Sequence, residues 1–427
     1  MNCFAKPISE FPFIKHSACV FGWPLNGLNS LVGGLVGGLI GWLAWGNESE
    51  PWALILLLLL PAAWGMSKSR KAAGTLFLGY FLCSARDLPH TTAIFFGENA
   101  PEWTGWGLWA VACLVLTIPF MALWSVDSQK RPWRFVLAIC VLTIPPLGLI
   151  GWVNPISFAG VVFPRMEWGG LILAMILMAM LTNLTKKWKN GLMWFLVISI
   201  VANVFEFTRN ESLPAEFPNW AGVNTNFEKM DSGEAVNGEQ GLMASVRAAW
   251  VEKYAKTIPP NSVRILPETF LGPFTYSAQA TLIKTEMELS SRNSRILIGT
   301  EIEESPRLFA NTMIVLGTQK NEDQKIFQGI PVPVAMWKPW VDEGATADIW
   351  GHRGVIKIDK VRAGVLICYE QFLTFSILQT MWNKPELLVG ASNVWWAKNT
   401  SLPLVQDQMM NVFGRLFGTR TILAKNT

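Results

Sequence analysis

The chain has 427 residues, of which 51% are hydrophobic and 22 are tryptophan, and its mean hydropathy is +0.30. This length exceeds one ordinary domain, and this apolar composition is typical of a membrane protein. The net charge is only +4, so the composition gives no reason to expect a nucleic-acid partner.

Apolar residues before position 206 come in seven blocks. The blocks span 25–45, 52–66, 72–85, 106–126, 135–153, 168–184 and 191–205. Three or four are long enough to cross a hydrocarbon core of about 30 Å, whereas the second and third fall below about 17 residues and need flanking residues. The sequence therefore predicts a cytoplasmic leader at 1–24 and a polytopic α-helical membrane domain of about seven helices at 25–206.

Positive residues in the connecting loops predict the orientation of these helices, because Lys and Arg near membrane segments stay preferentially in the cytoplasm. Clusters on alternate loops are Lys68, Arg70 and Lys71; Lys130, Arg131 and Arg134; and Lys186, Lys187 and Lys189. This distribution predicts a cytoplasmic amino terminus, and it puts everything beyond residue 207 outside the cytoplasm.

Three glycines recur every four residues in the first apolar block: Gly33, Gly37 and Gly41. Residues four apart share one face of a helix, and small side chains on that face let a second helix approach closely. We interpret these glycines as a packing surface and not as a catalytic feature.

After a polar linker at 207–217, the segment 218–427 alternates between short runs of two kinds. Apolar β-branched runs occur at 262–266, 295–299, 312–316, 361–367, 387–389 and 421–423, and helical patterns occur at about 242–254, 274–292, 372–382 and 403–417. Strands separated by helices, with apolar runs too continuous for one solvated face, predict an α/β layered extracytoplasmic domain. In such sheets the functional groups gather beyond the strand ends.

Cys368 is the only cysteine beyond residue 207, and it ends one of these apolar runs. It cannot close a disulfide within its own domain, and an unpaired thiol in an oxidising compartment is a liability unless it performs chemistry. One interpretation is a catalytic nucleophile, and the other is a small buried hydrophobe.

Two carboxylates follow strand runs: Glu268 after 262–266, and Glu370 two residues beyond Cys368. A base such as Glu268 would activate the thiol by taking its proton, although a glutamate there also fits a solvated strand end or a helix cap. His352 is the only histidine beyond 207, which argues against a Ser/His/Asp hydrolase or a multi-histidine metal site. No glycine-rich phosphate loop occurs, so we predict no cofactor and no metal.

Tryptophans in the same segment are open to two interpretations. They would form an apolar surface for a lipid chain, or they belong to a buried core or an interfacial belt. The residues concerned are Trp337, Trp340, Trp350, Trp395 and Trp396.

Glu268 in a Leu-Pro-Glu-Thr segment, Cys368 in Ile-Cys-Tyr-Glu, and the Ala-Ser-Asn-Val-Trp segment at 391–395 resemble the carbon–nitrogen hydrolase (nitrilase) superfamily in order and spacing. Placed after the apolar blocks, they resemble its apolipoprotein N-acyltransferase branch. The resemblance implies an α-β-β-α sandwich with a Glu-Lys-Cys triad. Cys368 would form an acyl thioester, Glu268 would be the general base, and Glu370 would be an auxiliary carboxylate.

This branch transfers an acyl group from a membrane phospholipid to the α-amine of a lipoprotein's terminal cysteine. The resemblance therefore implies a phospholipid acyl donor and a lipoprotein or other amine acceptor. It also implies a multi-pass location in the bacterial inner membrane, with the C-terminal domain in the periplasm. Partners in a conjugation apparatus are a further expectation.

The chain departs from the family pattern at the lysine. Aligning the family's segment with 330–336 puts Gln328 at the lysine position and Met336 at a second glutamate. Glutamine can donate a hydrogen bond to an oxyanion but brings no charge, and one oxyanion donor is worth roughly 3–4 kcal/mol. Lys325, three residues earlier, either substitutes for the missing cation or is a solvated loop lysine.

A second departure lies at 424–427, where the chain stops while the family continues, so the domain at 218–427 is expected to be truncated. The sandwich is then either completed differently or left with an exposed sheet edge, which invites a partner. Two functions remain open. One is an acyltransferase or amidase-like enzyme acting through a Cys368 thioester, and the other is a weakly active or inactive scaffold of a conjugation or envelope assembly.

Overall fold

The computed structural model describes residues 28–97, 100–101, 103–183, 189–212, 217–227, 239–320, 322–352 and 354–427. The leader predicted at 1–24 lies outside these ranges, as do Lys186 and Lys187 of the third basic cluster. The predicted linker at 207–217 lies partly outside them, and the division into domains there stays a prediction.

Helices dominate the amino-terminal half. The α-helices of the described ranges are α1 (Ser30–Ala44), α2 (Leu59–Met66), α3 (Arg70–Ser84), α4 (Leu88–Phe96), α5 (Trp103–Ala122), α6 (Arg131–Thr143), α7 (Ala159–Val162), α8 (Glu167–Leu181), α9 (Lys189–Ser212), α10 (Glu239–Ala255), α11 (Tyr276–Ser291), α12 (Thr374–Trp382) and α13 (Leu402–Phe417). Local chemistry sets several ends. Asn29 and Thr275 cap α1 and α11 by accepting hydrogen bonds from backbone N–H groups, and Gly418 ends α13 in the left-handed conformation.

Strands form two sheets in the carboxyl-terminal half. They are β1 (Trp220–Gly222), β2 (Val263–Ile265), β3 (Arg295–Ser305), β4 (Leu308–Leu316), β5 (Lys325–Phe327), β6 (Gly344–Ala345), β7 (Val355–Ile358), β8 (Val361–Ile367), β9 (Leu387–Asn393) and β10 (Arg420–Asn426). The first sheet has the order β1-β2-β3-β4-β5, with β6 also paired to β4, and the second has the order β10-β9-β8-β7. In the second sheet β8, β9 and β10 are parallel, so their carboxyl ends meet at one edge.

The two sheets face each other, and helices cover their outer faces. Side chains alternate between the faces of a strand, so Ile296 packs against α10 and α11 while Leu297 packs between the sheets. On β8, Val365 lies between the sheets and Leu366 packs with α13 and the amino-terminal helices. The resulting order of layers is helices, sheet, sheet, helices.

The predicted polytopic membrane domain is wrong. Among the described residues, two helices are long and apolar enough to cross a membrane, Trp103–Ala122 and Gly191–Thr208, and core helices of globular proteins pass the same test. The helices α1, α3 and α8 have 15 residues each, and α2 and α6 are shorter. Fifteen residues rise about 22 Å, which is less than the hydrocarbon core of about 30 Å. The same finding overturns the multi-pass inner-membrane location.

Much of the amino-terminal apolarity instead fills a protein core. Trp64, Phe77 and Phe120 are fully buried, and the rings of Phe77 and Phe120 stack with centroids 3.5 Å apart. This cluster is continuous with Met409 and Phe413 of α13. The apolar blocks thus supply a core that reaches the second sheet, which is why hydropathy alone suggested membrane spans.

The glycine face of α1 is a packing surface, as predicted. A Cβ atom added to Gly37 would lie 1.8 Å from the carbonyl oxygen of Leu76, and one added to Gly41 would lie 2.4 Å from that of Tyr80. Both partners belong to α3. The two helices therefore approach to backbone contact, which any side chain larger than hydrogen would prevent.

The outer edge of β10 is partly paired. The Thr225 N–H donates to the carbonyl of Lys425 at 2.8 Å, and the Thr427 N–H donates to the carbonyl of Thr225 at 3.0 Å. Asn426 adds side-chain hydrogen bonds to Phe227 and Asn393. Of the two arrangements considered for the carboxyl terminus, the sheet edge is covered at this end by the segment around residue 225.

Candidate active site

Cys368 lies at the carboxyl end of β8, where the chain turns sharply into a 3-10 helix, Cys368–Phe372. Its φ of 47° is in the left-handed region, which costs about 1–3 kcal/mol for a residue other than glycine. Gln406 of α13 holds the turn by donating to the Cys368 carbonyl at 3.0 Å. The turn aims the thiol into the space beyond the strand ends, where it is only 5% exposed.

Glu268 lies in the loop after β2 and reaches the same space. Its carboxylate accepts the side-chain N–H of Asn311 at 2.6 Å and the backbone N–H of Asn393 at 3.1 Å. The loop rests on Gly299, where an added Cβ would lie 2.3 Å from the carbonyl oxygen of Pro267. A glycine at this position of β3 therefore allows the base to approach the sheet.

Cys368 and Glu268 form a hydrogen-bonded pair. Burial raises the pKa of Glu268 to about 7, although hydrogen bonds to its carboxylate oppose the shift. Burial also raises the pKa of the Cys368 thiol well above its usual value, and the neighbouring Glu268 carboxylate raises it further. The thiol is thus protonated at rest, with a base of near-neutral pKa in contact to receive its proton.

Two backbone N–H groups, those of Tyr369 and Asn393, lie near the same sulfur and lower the pKa of its thiol, and the Asn393 N–H also donates to Glu268 at 3.1 Å. Donors fixed by the backbone need no reorganisation when negative charge develops beside them. The arrangement can therefore stabilise a thiolate and an oxyanion formed next to Cys368.

Gln328 lies beside this pair in a neutral network. Its side-chain NH₂ donates to the Ile367 carbonyl at 2.8 Å, and its Oε1 accepts from Asn311 at 3.0 Å. Asn311 thus connects Gln328 with Glu268. The structure does not bring Lys325 to the site, because its side chain is exposed and its Nζ lies 4.9 Å from the ring centroid of Phe327.

Glu370 is fully buried, and its carboxylate accepts hydrogen bonds from backbone N–H groups. One carboxylate oxygen accepts from Gly329 and Ile330 at 2.9 and 3.2 Å, and the other accepts from Ile367 at 2.9 Å. Burial raises its pKa, and His352, whose Nε2 lies 3.8 Å away, opposes the shift. Glu370 therefore ties the segment after Gln328 to the nucleophile turn and positions both.

Two cavities meet at Cys368. One of about 180 Å³ is lined almost entirely by apolar side chains from α4, α5 and the 332–335 segment, and it includes Phe95 and Trp396. The other, of about 270 Å³, has a mixed lining that includes the charged or polar groups of Glu268, Glu301 and Arg247, and we call it the polar cavity. Phe95, Trp396 and Cys368 line both. The nucleophile is thus accessible from an apolar side and from a polar side.

Two polar residues next to Glu268, one lining the polar cavity and one hydrogen-bonded to the base, were not singled out by the sequence. Asn311 and Glu301 are polar residues on β4 and β3, and a polar side chain near the end of an apolar strand is usually solvated. The alternation of side chains along a strand could have indicated them. Glu301 follows Leu297 and Gly299 at every second position of β3, on the face that lies between the sheets. Met336 lines this cavity, while Trp340 and Trp350 are exposed.

A cysteine paired with a buried glutamate at the ends of two facing sheets agrees with the arrangement that the sequence resemblance to carbon–nitrogen hydrolases implies. No protein-family model matches the chain. The chain is 28% identical over 388 residues to the probable conjugal transfer protein TraB of Sinorhizobium fredii, covering 88% of this chain and 94% of that protein. It is also 28% identical over 400 residues to conjugal transfer protein TraB of Agrobacterium fabrum, covering 90% of each. The chain thus resembles TraB-type conjugal transfer proteins over most of its length.

Solved structures overlap with about half of the chain. A Nesterenkonia amidase of the nitrilase superfamily covers 50% of this chain and 79% of its own, with 8% identity and a TM-score of 0.33. A carbon–nitrogen hydrolase from Helicobacter pylori covers 48% and 73%, with 13% identity and a TM-score of 0.32. With TM-scores this low, a functional inference has to rest on the site geometry.

Proposed function

We propose that this TraB-like protein is a cysteine-dependent acyltransferase. The observation that carries the proposal is the buried hydrogen bond between Cys368 and Glu268, with the backbone N–H groups of Tyr369 and Asn393 at the same sulfur. A nucleophile in contact with a base of near-neutral pKa, beside preorganised donors, is the arrangement that acyl transfer needs.

The first half-reaction forms a thioester. Glu268 takes the thiol proton as the Cys368 sulfur bonds to the carbonyl carbon of an ester donor. The carbonyl oxygen becomes an oxyanion, which the two backbone donors would stabilise. The carbon–oxygen bond then breaks, and Glu268 returns the proton to the leaving alcohol.

The two cavities support a lipid-like donor and an amine acceptor. The apolar cavity ends at Cys368 and matches an acyl chain, and the polar cavity matches the head of an acceptor. We propose a phospholipid as the acyl donor and a lipoprotein or other amine as the acceptor. Components of a conjugation apparatus are proposed partners, by similarity to the TraB relatives.

The test is intact-mass analysis of the purified protein after incubation with phospholipid, followed by peptide mapping. An acyl adduct on Cys368 is expected. Cys368→Ala should abolish the adduct, whereas the matched control Cys140→Ala should retain it, because Cys140 is a free cysteine distant in the chain from the site. Absence of any adduct with intact, folded protein would contradict the proposal.

A second function is supported by the neutral side chain at Gln328. Without a lysine, thioester formation loses a charge that would stabilise the oxyanion, and a scaffold that keeps the fold for binding needs no such charge. Conjugation assays separate the two functions. A scaffold predicts that Cys368→Ala leaves plasmid transfer unchanged, and an enzyme predicts a loss of transfer.

A further inference from the structure

The polar cavity holds a second carboxylate that thioester formation does not use. Glu301 lies on β3 directly opposite Asn311 of β4. Residues directly opposite in an antiparallel pair share a face, with Cβ atoms about 4.5–5.5 Å apart. Because Asn311 donates to Glu268, Glu301 lies next to the base in the same cavity as Cys368.

Four ionisable residues of the described part of the chain line this cavity: Arg247, Glu268, Glu301 and Cys368. Arg247 donates to the Phe270 carbonyl at 2.8 Å, and its guanidinium lies 5.1 Å from the Phe227 ring centroid. With both carboxylates ionised, these four described residues would carry two negative charges and one positive charge, which suits a cationic ligand.

Burial raises the pKa of Glu301 to about 7, and the neighbouring Glu268 carboxylate contributes to the shift. A carboxyl with a pKa near neutrality both binds and releases a proton under ordinary conditions. Glu301 is therefore matched to proton transfer as well as to charge recognition.

Transfer of the acyl group to an amine requires the removal of two protons from the acceptor nitrogen. An amine enters as an ammonium ion and must lose one proton before its nitrogen can attack the thioester carbon. After attack it loses a second proton, which Glu268 takes and returns to the sulfur as the carbon–sulfur bond breaks. Glu268 can therefore account for the second proton, and the first needs another base.

We propose that Glu301 binds the acceptor as a primary ammonium ion in the polar cavity and takes its first proton. The nitrogen–hydrogen bond breaks, an oxygen–hydrogen bond forms on the Glu301 carboxylate, and the neutral amine is left beside the Cys368 thioester. This inference rests on the proposed acyl transfer and names the acceptor class of that site.

The first test measures ammonium recognition without acyl transfer. Cys368 is modified either with 2-aminoethyl methanethiosulfonate, which is a primary ammonium ion, or with neutral methyl methanethiosulfonate, and both rates are read by peptide mapping at Cys368. The wild type should favour the cationic reagent. Glu301→Gln should lower the ratio of the cationic reagent's rate to the neutral reagent's rate at least about threefold. This is a small part of the interaction energy of two unit charges in contact at an effective dielectric constant of about 20.

Matched variants keep this test interpretable. Glu303→Gln changes the same residue type two positions along β3, where the side chain is exposed and outside the cavity, and it should leave the ratio unchanged. Glu301→Asp keeps the charge and should retain most of the preference, while Glu301→Met is a second neutral variant. A ratio that Glu301→Gln and Glu301→Met do not alter would overturn the proposed recognition, whether or not the protein transfers acyl groups.

The second test follows the acylated protein. Glycinamide, which is cationic near neutral pH, and methoxyamine, which is already neutral there, are compared as acceptors. Glu301→Gln should slow transfer to glycinamide at least about tenfold and leave transfer to methoxyamine within about twofold, since general-base catalysis typically contributes about 10²–10⁴-fold. Equal slowing of transfer to both amines would overturn the proton-transfer role of Glu301. A wild-type protein that is never acylated would refute acyl transfer, and the alkylation ratio would then still test whether Glu301 binds an ammonium ion.

Discussion

When Glu268 is ionised, the buried pair of Cys368 and Glu268 carries one transferable proton, on the thiol. Burial is the main cause of both raised pKa values, and each group's negative form would destabilise the other. The resting pair is therefore a thiol with a carboxylate or, at lower pH, a thiol with a carboxylic acid. Only the ionised form of Glu268 can accept the proton from sulfur.

We therefore predict that the alkylation rate of Cys368 by a neutral reagent rises as pH increases through about 7, where Glu268 ionises. Alkylation quenched at timed intervals, followed by peptide mapping, measures this rise across pH 5–9. Glu268→Gln should slow the reaction at pH 7.5 by about 10²-fold, because it removes the base, and should abolish the inflection near 7. An unreactive thiol indifferent to Glu268 would instead identify Cys368 as a buried hydrophobe.

Gln328 provides the second prediction at this scale. The Ile367 carbonyl beside it is an acceptor, and Asn311 Oδ1 is buried without a hydrogen-bond partner among the described residues. Gln328→Lys would put an ammonium group between these acceptors and Glu268. We expect alkylation and acylation of Cys368 to accelerate about tenfold, because a nearby cation stabilises thiolate and oxyanion.

Lys325→Ala is the control for that variant. Its side chain is exposed over Phe327, so removing it should leave both rates within about twofold. Robust acylation that depends on Lys325 and ignores Gln328→Lys would show that the loop rearranges and that lysine supplies the missing cation.

At the scale of elements, the position of Glu268 depends on how its loop lies on β3. A Cβ at Gly299 would lie 2.3 to 2.5 Å from backbone atoms of residues 267–269, which are not flexible side-chain ends. The loop would have to move away from the sheet. Because Glu268 reaches Cys368 from this loop, the position of the carboxylate relative to the thiol depends on this backbone contact.

Gly299→Ala should therefore cost about 1–3 kcal/mol of unfolding free energy, which is typical of overpacking, and should slow Cys368 acylation at least about tenfold. Denaturant unfolding and intact-mass kinetics measure the two effects. Gly169→Ala is the matched control, since its added Cβ meets nothing within 4 Å. Unchanged acylation in a stable Gly299→Ala protein would mean that the loop is not held by this contact.

At the scale of the whole molecule, buried carboxyls with raised pKa values make stability depend on pH. Burial is the leading cause of the shift for Glu268, Glu301 and Glu370. Between the unfolded value, about 4.3, and the raised folded value, the folded state binds more protons than the unfolded state. This stabilisation is complete below the unfolded pKa and is lost as pH rises through the folded pKa, near 7 for Glu268 and Glu301.

The thermal midpoint should accordingly fall between pH 5 and pH 8. Glu301→Gln should flatten this fall by at least about 1 °C, because one neutral side chain no longer titrates and 1 kcal/mol shifts the midpoint about 2–4 °C in domains of 150–250 residues. Circular dichroism melts at several pH values test it, with Glu303→Gln as the exposed control. A steeper fall in Glu301→Gln would reverse the sign assigned to this carboxyl.

Sequence patterns located some elements well and assigned others wrongly. The run at 361–367 matches β8, and the motifs around Glu268 and Cys368 identified two distant residues that meet at one site, where the ends of β2 and β8 lie in two facing sheets. The amino-terminal blocks failed as spans, since hydropathy does not distinguish a lipid-facing side chain from a core one such as Phe77. The sequence did not identify Glu301 as a site residue, because its environment depends on Asn311 of the neighbouring strand and a sequence pattern does not show which strands pair.

The two cavities that share Cys368 have a kinetic consequence. When both substrates of a double-displacement enzyme use one pocket, each blocks the other, and excess of either slows turnover. Here Phe95 and Trp396 form a common wall between an apolar and a polar chamber, with the sulfur exposed to both. In the proposed acyl transfer, an acceptor amine can then bind in the polar cavity while the donor alcohol leaves the apolar cavity, so saturating amine should not inhibit competitively against the lipid.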